Sequence, residues 1–417
     1  MPYLIDGEAF RCRHCDHVLE HSMIDLGMSP LCEDFLRAEE LNAMERFYPL
    51  HVFVCDRCWL VQAADFSSNE EIFDEDYGYF SSYSTSWLAH ARRYVDEMVE
   101  RLSLDERSFV VEVASNDGYL LRNFVERGIP CLGVEPAAGV AAAARTLGIE
   151  TRVTFFTTTL ATELAAAGRR ADLVIGNNVL AHTPHVNDFV KGVSVLLAPG
   201  GTATFEFPHV LRLLEEVQFD TIYHEHYSYY SLYTVRRMFE SVGLRVVDVQ
   251  ELPTAGGSLR IFVEHAAAGT EPSAAVAALL EREERGGLRD IATYLDFGER
   301  AAQVKNELLK LLIELKEAGR TVGGYGAPGK GNTLLNYCGI KPDLLPWTCD
   351  RSEHKHGRYC PGSRIPIHPP SYLDEMKPDY VLILPWNLRE EIVGQLAHVR
   401  EWGGKFIVPI PTATVID

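Results

Sequence analysis

Residues 111–121 read Val-Glu-Val-Ala-Ser-Asn-Asp-Gly-Tyr-Leu-Leu, the end of an apolar run followed by a turn. The apolar run over 108–114 predicts a buried strand, and Asn-Asp-Gly at 116–118 predicts a tight turn. An amphipathic stretch follows at 119–126, and a second short strand is expected at 131–135. Strand, turn, amphipathic stretch and strand in this order predict an α/β fold with a parallel sheet.

Two residues of this region predict the cofactor. Gly118 ends the turn and Glu135 ends the second strand. In a Rossmann-like sheet the glycine lets the backbone approach a ligand, and the acid binds two ribose hydroxyls. A third segment, residues 176–182, follows a further strand. Together with Gly118 and Glu135 it predicts that the cofactor is S-adenosylmethionine and the reaction is methyl transfer rather than hydride transfer. The predicted cofactor-binding residues are Glu112, Ala114, Ser115, Asn116, Asp117, Gly118, Tyr119, Leu120, Glu135, Pro136, Asn177 and Asn178.

The chain divides into three blocks, 1–75, 76–270 and 271–417. The first holds short strand-like pieces, and the second alternates helix and strand patterns. Its later strands are expected at 172–177 and 201–207, followed by an antiparallel pair at 244–251 and 258–265. A tract rich in Ala, Glu and Arg at 271–290 links to the third block. There a helix at 294–319, a strand at 321–325 and further strand and helix patterns predict a second α/β unit.

Composition excludes several classes of partner. The chain has 417 residues and a formal net charge of −20, which opposes bulk binding to nucleic acid or to an anionic membrane. No apolar run approaches the length of a membrane span, and the N-terminus shows no secretory signal pattern. The expectation is a cytoplasmic protein, a monomer or weak homo-oligomer, whose nine cysteines are reduced.

Two pairs of cysteines predict a metal site. Cys12 and Cys15 form one CxxC pair, and Cys55 and Cys58 form another. Two such pairs complete a tetrahedral four-thiolate shell, which leaves no open position and is typical of structural zinc. Unligated buried or redox thiols are the alternative. The other cysteines are interpreted as small apolar residues, namely Cys32, Cys131, Cys338, Cys349 and Cys360.

The segment 222–230, Ile-Tyr-His-Glu-His-Tyr-Ser-Tyr-Tyr, concentrates titratable side chains. Each would cost free energy in a core unless paired, so the segment predicts a proton-transfer site. A metal site and a purely structural polar network are the alternatives. As a strand it would place 224 and 226 on one face and 223 and 225 on the other; as a helix it would spread them.

Two further stretches are candidate ligand-binding segments. Tyr77, Tyr79 and Tyr83 precede the first central strand and predict a lid over the cofactor, with linker packing as the alternative. The glycine loop at 326–332 predicts an anion site, although it matches neither a Walker A nor a GxGxxG pattern. The basic side chains that would join this loop around a diphosphate are Lys330, Arg351, Lys355 and Arg358, unless they form a solvated turn.

The whole chain resembles the three-domain sugar C-methyltransferases of bacterial deoxysugar biosynthesis. The resemblance rests on both CxxC pairs and on the motifs VEVASNDGYLL, GNNVLAH, YHEHYSYYS, AGGSLR and GYGAPGKGNT. Within that family it is most similar to the enzymes that methylate C-3′ in D-tetronitrose formation. The resemblance implies zinc in the first block, S-adenosylmethionine in the second and nucleotide contacts in the third. It implies a dTDP-linked 3-amino-4-keto deoxyhexose as substrate.

By motif, the resemblance puts Tyr77, His182, Tyr223, Glu225 and His226 at the reaction centre. A buried or capping role is the alternative for His182, and a turn is the alternative for Asn177 and Asn178. The residues predicted to bind the substrate are Tyr79, His224, Lys330, Asn332, Arg351, Lys355 and Arg358.

The predicted chemistry starts with removal of a proton from carbon. A 4-ketone acidifies the C-3′ hydrogen, and histidine suits a base that works near neutral pH. His226 is the predicted base, and Glu225 orients or polarises it or another group, while Tyr223 and His182 donate hydrogen bonds to the C-4′ oxygen. Two other classes of protein stay open, an NAD-dependent nucleotide-sugar oxidoreductase and a zinc-knuckle protein that binds nucleic acid. The first lacks a clear dinucleotide fingerprint, and the charge of −20 opposes the second.

Overall fold

The computed structural model describes residues 4–5, 7–66 and 80–417. Its N-terminal strands are β1 (Leu4–Ile5), β2 (Glu8–Ala9), β3 (His21–Ser29), β4 (Tyr48–Val54) and β5 (Val61–Ala63). β1 pairs with β2, and β3, β4 and β5 form an antiparallel sheet. The two CxxC pairs lie before β3 and between β4 and β5, so the β3–β4–β5 sheet brings them together.

The central block contains a seven-stranded sheet in the order β12-β13-β10-β9-β6-β7-β8. Only β13 runs antiparallel to its neighbours β10 and β12. The central strands β6, β7 and β9 are almost fully buried. Burial on both sides is expected because helices cover both faces of a parallel sheet. The seven strands of the central sheet are β6 (Val110–Val113), β7 (Cys131–Val134), β8 (Glu150–Arg152), β9 (Ala171–Asn177), β10 (Leu197–Pro208), β12 (Leu244–Leu252) and β13 (Ser258–His265). A further strand of this block, β11 (Ser228–Tyr229), lies outside this sheet.

The predicted strands of this block are all present, with ends within a few residues of those expected. β8 and β11 were not expected. β11 belongs to the N-terminal sheet, where it pairs antiparallel with β5. The residues just before β11, which carry the titratable cluster, therefore lie against the N-terminal sheet.

Helices of the central block surround the sheet. They are α1 (Thr85–Leu102), α2 (Arg122–Val125), α3 (Ala138–Thr146), α4 (Thr158–Ala166), α5 (Val186–Leu196), α6 (Val210–Glu215), α7 (Leu232–Glu240) and α8 (Ala274–Arg285). The amphipathic stretch at 119–126 forms only the single turn of α2. No helix in the described ranges has both the length and the apolar character that crossing a bilayer requires.

The tract at 271–290, expected to be a link, forms α8 and packs against the central block. The buried Glu283 carboxylate accepts hydrogen bonds from His209 Nε2 at 2.7 Å and from the backbone of Leu232 at 2.6 Å and of Tyr233 at 2.9 Å. An acid at the first turn of α7 satisfies amide groups that have no partner within the helix.

The C-terminal block is a second α/β unit, as predicted. Its six-stranded sheet has the order β16-β15-β14-β17-β18-β19, and only β19 is antiparallel to its neighbour. The strands are β14 (Val322–Tyr325), β15 (Thr348–Cys349), β16 (Ile367–His368), β17 (Tyr380–Ile383), β18 (Lys405–Val408) and β19 (Thr414–Ile416). The helices are α9 (Ala292–Leu295), α10 (Phe297–Glu317), α11 (Gly329–Cys338), α12 (Ser371–Met376) and α13 (Arg389–Gln395).

One hydrophobic core joins the N-terminal sheet to the C-terminal block. Met23 and Ile24 of β3 are buried in the same cluster as Phe297 and Leu308 of α10 and Leu334 of α11. The N-terminal block therefore packs against both other blocks, and the three meet around a shared space.

Candidate active site

A cavity of about 1310 Å³ lies where the three blocks meet. Cys32 and Glu33 line it from the N-terminal block, and Lys330 and Arg351 line it from the C-terminal block. The carboxyl ends of the central strands form the remaining wall. Ligands of open α/β sheets bind at this edge, so the cavity is the candidate site.

Glu135 organises the loop after β6. Its Oε2 accepts a hydrogen bond from the backbone of Asn116 at 2.9 Å, and its Oε1 accepts one from the backbone of Ala137 at 2.9 Å. Burial raises the pKa of Glu135, and the two backbone donors oppose that shift. Each carboxylate oxygen keeps a second lone pair, so the carboxylate can still bind hydroxyl groups.

Gly118 has a different role from the one expected. Its φ is +79°, and an added Cβ would lie 2.3 Å from Ile149 Cδ1 and 3.3 Å from the Ala144 Cβ. Gly118 is therefore required because the turn packs closely on α3, and it does not line the cavity.

The walls of the cavity fit S-adenosylmethionine. Val134, Pro136, Phe155 and Phe156 form an apolar side suited to an adenine ring. Neither amide atom of the buried Asn177 has a hydrogen-bond partner among the described residues. A buried amide without partners is costly, so this side chain favours a polar ligand group beside it.

The predicted cofactor residues fall into two sets. Those that line the cavity are Ala114, Asn116, Tyr119, Glu135, Pro136, Asn177 and Asn178. Those that lie behind this wall are Glu112, Ser115, Asp117, Gly118 and Leu120. Burial, together with Asp117 and Glu135, raises the pKa of Glu112 well above its usual range, and its carboxyl oxygens have no hydrogen-bond partner in the described chain.

Four titratable side chains of the predicted reaction centre do come together. The ring of His226 lies 4.8 Å from that of His182 and 3.9 Å from that of Tyr223, measured between centroids. All three residues and Glu225 line the cavity. His226 Nδ1 lies 2.9 Å from the backbone oxygen of Thr221, which only accepts, so Nδ1 carries the proton and Nε2 is left as the acceptor.

Burial sets the charge state of this group. It lowers the pKa of His226 well below the usual range, with a further contribution from His182, and lowers the pKa of His182 to about 4. Burial and the Glu33 carboxylate raise the pKa of Glu225 to about 8. Burial also raises the pKa of Tyr223 well above its usual value. At neutral pH the site thus holds two uncharged imidazoles, a protonated carboxyl and a phenol.

Residues 223–227 form neither a strand nor a helix, because 224 and 225 make a turn. This turn brings the rings of Tyr223 and His226 into contact at an interplanar angle of 33°, whereas an extended strand would place them on opposite faces. His224 faces the N-terminal sheet, where its Nε2 lies 3.2 Å from the backbone oxygen of Pro49, and it does not line the cavity.

Cys32 lines the candidate site, although we expected it to be an ordinary small apolar residue. Its Sγ lies 3.5 Å from Glu225 Oε1, and both groups are buried. The two residues are far apart along the chain, so only the packing of the N-terminal block on the central block brings them together. No local pattern around Cys32 signals this contact.

The predicted anion loop is shorter than expected, because α11 begins at Gly329 after Pro328. Lys330 Nζ lies in the cavity wall, 3.1 Å from Asn387 Oδ1 and 5.1 Å from the centre of the Trp386 ring. Arg351 also lines the cavity, with its side chain 48% exposed. These two basic groups are placed to meet an anionic ligand.

The other predicted substrate residues have different surroundings. Lys355 lines the cavity, but its Nζ is held by Glu33 at 3.2 Å and by the Ala327 backbone oxygen at 2.9 Å. Arg358 is exposed and outside the cavity lining. Asn332 is buried behind the wall and donates to the Cys32 backbone oxygen at 2.7 Å. Asn332 therefore joins α11 to the N-terminal block.

The segment before α1 covers the cofactor loop. The backbone amide of Ser81 donates to Asn116 Oδ1 at 2.9 Å, and that of Ser82 donates to Asp117 Oδ2 at 3.2 Å. Tyr83 lines the cavity, with its hydroxyl 3.1 Å from His354 Nε2. Tyr77 and Tyr79 lie outside the described residues.

The two CxxC pairs form a single thiol cluster. The sulfur atoms of Cys12, Cys15, Cys55 and Cys58 all lie within 4.8 Å of one another, with a separation of 3.4 Å between Cys12 and Cys58. A tetrahedral shell with Zn–S bonds of about 2.3 Å has edges of about 3.8 Å, so the cluster fits a structural zinc ion.

The zinc knuckle also contacts the segment of the predicted reaction centre. Arg13, between the first two cysteines, donates from Nη1 to the backbone oxygen of Tyr227 at 2.6 Å and from Nη2 to that of Ala63 at 2.7 Å. Tyr227 directly follows His226, and its own amide donates to the Ala181 backbone oxygen at 2.7 Å. The knuckle thus anchors the strand end that carries the candidate base.

Comparisons with known proteins agree with this architecture. A zinc binding domain model matches residues 12–73, a methyltransferase domain model matches residues 87–249, and a C-methyltransferase C-terminal domain model matches residues 253–411. The chain is 40% identical over 406 residues to the C-methyltransferase NovU of Streptomyces niveus, which covers 97% of this chain and 96% of that protein.

Solved structures resemble this chain in part. The glycopeptide N-methyltransferase MtfA is 14% identical over 42% of this chain and 95% of its own, with a TM-score of 0.34. The magnesium protoporphyrin IX methyltransferase ChlM of Synechocystis PCC 6803, solved with bound S-adenosylmethionine, is also 14% identical. That match covers 46% of this chain and 88% of the other, with a TM-score of 0.32.

The cofactor loop, the thiol cluster and the matching domain models define an S-adenosylmethionine-dependent methyltransferase with an N-terminal zinc domain. The identity to NovU extends along nearly the whole of both chains. The chain therefore belongs to the C-methyltransferase family that includes NovU.

Proposed function

We propose that this enzyme methylates C-3′ of a dTDP-linked 3-amino-4-keto-2,3,6-trideoxyhexose, in formation of an antibiotic deoxysugar of the D-tetronitrose type. The observation that carries the proposal is the orientation of His226, whose Nδ1 is held by Thr221 and whose Nε2 is left as an acceptor beside the cavity. Lys330 and Arg351 line the cavity from the C-terminal block, where a nucleotide diphosphate would fit. The cytoplasm, where nucleotide sugars are made, is the proposed location.

In this proposal His226 removes the C-3′ proton through Nε2. The hydrogen bond from Nδ1 to Thr221 then stabilises the imidazolium that forms. Tyr223 and His182 donate hydrogen bonds to the C-4′ oxygen as it gains negative charge, and the protonated Glu225 supports the same group. Burial makes these hydrogen bonds stronger than they would be in water.

Asn116, Glu135 and Asn177 would hold the cofactor against the apolar wall. S-adenosylmethionine, when bound, supplies the electrophilic methyl group that the activated carbon attacks. The protein positions the two reactants, which removes much of the entropic barrier between them.

The experiment is incubation of the purified enzyme with S-adenosylmethionine and a panel of dTDP-4-keto sugars, followed by mass spectrometry and NMR of the products. A ketone at C-4′ acidifies the hydrogens at both C-3′ and C-5′, so NMR must locate the new methyl group. We expect it at C-3′ of the 3-amino sugar. A methyl group at C-5′ would overturn the proposed position, and no methylation of any 4-keto sugar would overturn the proposed substrate class.

A further inference from the structure

The short turn before the candidate base is held by the C-terminal block. Phe219–Thr221 form a single 3₁₀ turn that packs against α11. Trp386 donates from Nε1 to Asp220 Oδ2 at 2.6 Å, and Asp220 is fully buried while Trp386 is 5% exposed. This hydrogen bond joins a loop of the C-terminal block to the residue that precedes Thr221.

A second contact holds the residue that follows Thr221. Thr333 of α11 donates from Oγ1 to the backbone oxygen of Ile222 at 2.9 Å, and Thr333 is buried. The ring of Phe219 also packs on the ring of Tyr337, one turn further along α11, with 5.0 Å between centroids. Both neighbours of Thr221 are therefore fixed by side chains of the C-terminal block.

The peptide between these two contacts carries the oxygen that orients His226. The Thr221 carbonyl shares one planar peptide unit with the amide of Ile222, which donates to the Phe219 backbone oxygen at 3.1 Å. Contacts that hold Asp220 and Ile222 in this turn therefore restrain the direction of the Thr221 carbonyl. That carbonyl accepts from His226 Nδ1 at 2.9 Å and so sets both the tautomer and the ring orientation. None of the contacting side chains from the C-terminal block needs to touch the substrate for this effect.

We propose that Thr333 and Trp386 are positioning residues for His226, which make the C-terminal block part of the proton-transfer apparatus. The inference rests on the proposed role of His226 as the base. Lys330 lies three residues before Thr333, so it projects from the same side of α11. One helix thus presents a cation to the cavity and a hydroxyl to the turn that carries Thr221.

The test compares Thr333→Val, which removes the hydroxyl at nearly constant shape, with Thr333→Ser, which restores it. Because small misplacements of a reacting group lower rates strongly, we expect Thr333→Val to reduce kcat and substrate C–H exchange in deuterated solvent by about tenfold or more. The KM values for both substrates should change little, and Thr333→Ser should recover most of the rate. Trp386→Phe should behave as Thr333→Val does, with thermal unfolding confirming that each variant is folded.

A double-mutant cycle separates positioning from general destabilisation. In a His226→Asn background, Thr333→Val should have no further effect on kcat, because the group that it positions is gone. The inference would be overturned if Thr333→Val lowered kcat in the His226→Asn background as much as it does in the wild type. It would also be overturned if kcat were unchanged in the single Thr333→Val variant.

Histidine-selective ¹⁵N NMR measures the tautomer of His226 directly, without a substrate. The signal that disappears in His226→Asn is assigned to His226. His226 should be in the Nδ1–H form in the wild type, and Thr333→Val should mix the two tautomers. If the tautomer shifts while no 4-keto sugar is methylated, the positioning role holds and the proposed substrate fails. If the tautomer is unchanged, the positioning role is wrong whatever the substrate.

Discussion

His226 is the side chain on which the proposed chemistry depends, and three contacts restrain its ring. Thr221 fixes Nδ1, and the rings of Tyr223 and His182 pack against the imidazole. Since burial lowers the pKa of His226 well below its usual range, the imidazole is uncharged and able to accept a proton at neutral pH. Its low basicity also means that the transferred proton must be stabilised by the Thr221 oxygen.

The first prediction concerns this base. His226→Asn should lower kcat for methylation by about 100-fold or more and should slow exchange of the substrate C–H in deuterated solvent to the same degree. Calorimetric affinity for S-adenosylmethionine should stay unchanged. His182→Asn, the matched control on the neighbouring ring, should have a smaller effect if it only supports the C-4′ oxygen. If His182→Asn lowered kcat more than His226→Asn does, His182 would be the base and His226 the supporting residue.

The second prediction is a pH dependence of stability that arises from Glu225. Its pKa is about 8 in the folded protein and about 4.3 in the unfolded chain, so the folded state binds more protons between these values. The contribution of Glu225 to stability is therefore full below about pH 4.3 and is lost as the pH rises through 8. The groups that face it are Cys32, Glu33 and Lys355.

Glu225→Gln removes this titration. The melting temperature of the variant, relative to wild type, should rise steadily from pH 5 to pH 8. Glu281→Gln, at a side chain that is 73% exposed, is the control and should give a constant difference. A constant difference for Glu225→Gln as well would mean that the Glu225 carboxyl ionises normally.

The third prediction concerns the cofactor. Glu135→Ala should weaken binding of S-adenosylmethionine by about 1–3 kcal/mol, because hydrogen bonds to a buried charged group are lost together with the order of the Asn116 loop. Isothermal calorimetry measures this directly. Glu150→Ala, on the exposed end of β8, is a control that should keep the affinity. An unchanged affinity for Glu135→Ala would place the cofactor elsewhere.

At this scale the sequence indicates candidate residues that lie within one local pattern. Glu135 follows a strand and His226 lies in a motif, so their types and spacing are the basis of the roles proposed for them. Cys32, Thr221 and Thr333 could not be found in that way, because their roles come from contacts between distant segments. The close packing of Gly118 on Ile149 and Ala144 could not be predicted, because these neighbours meet it only after folding.

Among the elements, the zinc knuckle has the widest influence. Its cysteines hold the ends of β4 and β5, and Arg13 within it binds the backbone of Tyr227. A metal at this point stabilises a sheet that is too small to depend on its own apolar core.

The fourth prediction follows from this element. Cys55→Ser should reduce bound zinc from one ion per chain to near zero, since three thiolates hold the ion much less tightly than four. It should also lower the melting temperature. Cys131→Ser, at a cysteine outside the cluster, is the control and should keep its zinc. Full zinc content in Cys55→Ser would contradict the four-thiolate site.

The elements also show where pattern reading succeeds and fails. Strands of the central sheet were predicted well because full burial gives them continuous apolar sequences. α8 was expected to be a link because its tract is rich in Ala, Glu and Arg, yet it packs on the central block through the buried Glu283. The start of α11 was hidden because Gly329 and Gly331 are poor helix formers that only close packing explains.

On the scale of the whole molecule, three sheets meet at one cavity and none of them builds the site alone. Cys32 comes from the first block, His226 from the second and Lys330 from the third. Motifs predicted the zinc of the first block and the S-adenosylmethionine of the second, but not how the N-terminal sheet packs on the C-terminal helices. That packing depends on buried side chains of β3, α10 and α11 that have no distinctive sequence.

The fifth prediction links the blocks. Removal of zinc with a chelator should increase amide hydrogen exchange at 227–229, because β11 pairs with β5 and is held by Arg13. Exchange in β17, at the centre of the C-terminal sheet, should not change and serves as the internal control. Unchanged exchange at 227–229 would show that the metal stabilises only the N-terminal block.

The pairing of β5 with β11 also has a consequence for synthesis on the ribosome. β5 ends at Ala63, but its partner strand begins only at Ser228. At typical rates of translation the intervening chain takes on the order of 10 to 30 s to emerge, and during that time one edge of the zinc-bound sheet has no neighbour. An unpaired edge attracts other strands, so the nascent chain is most exposed to misassociation in the interval before its own β11 arrives.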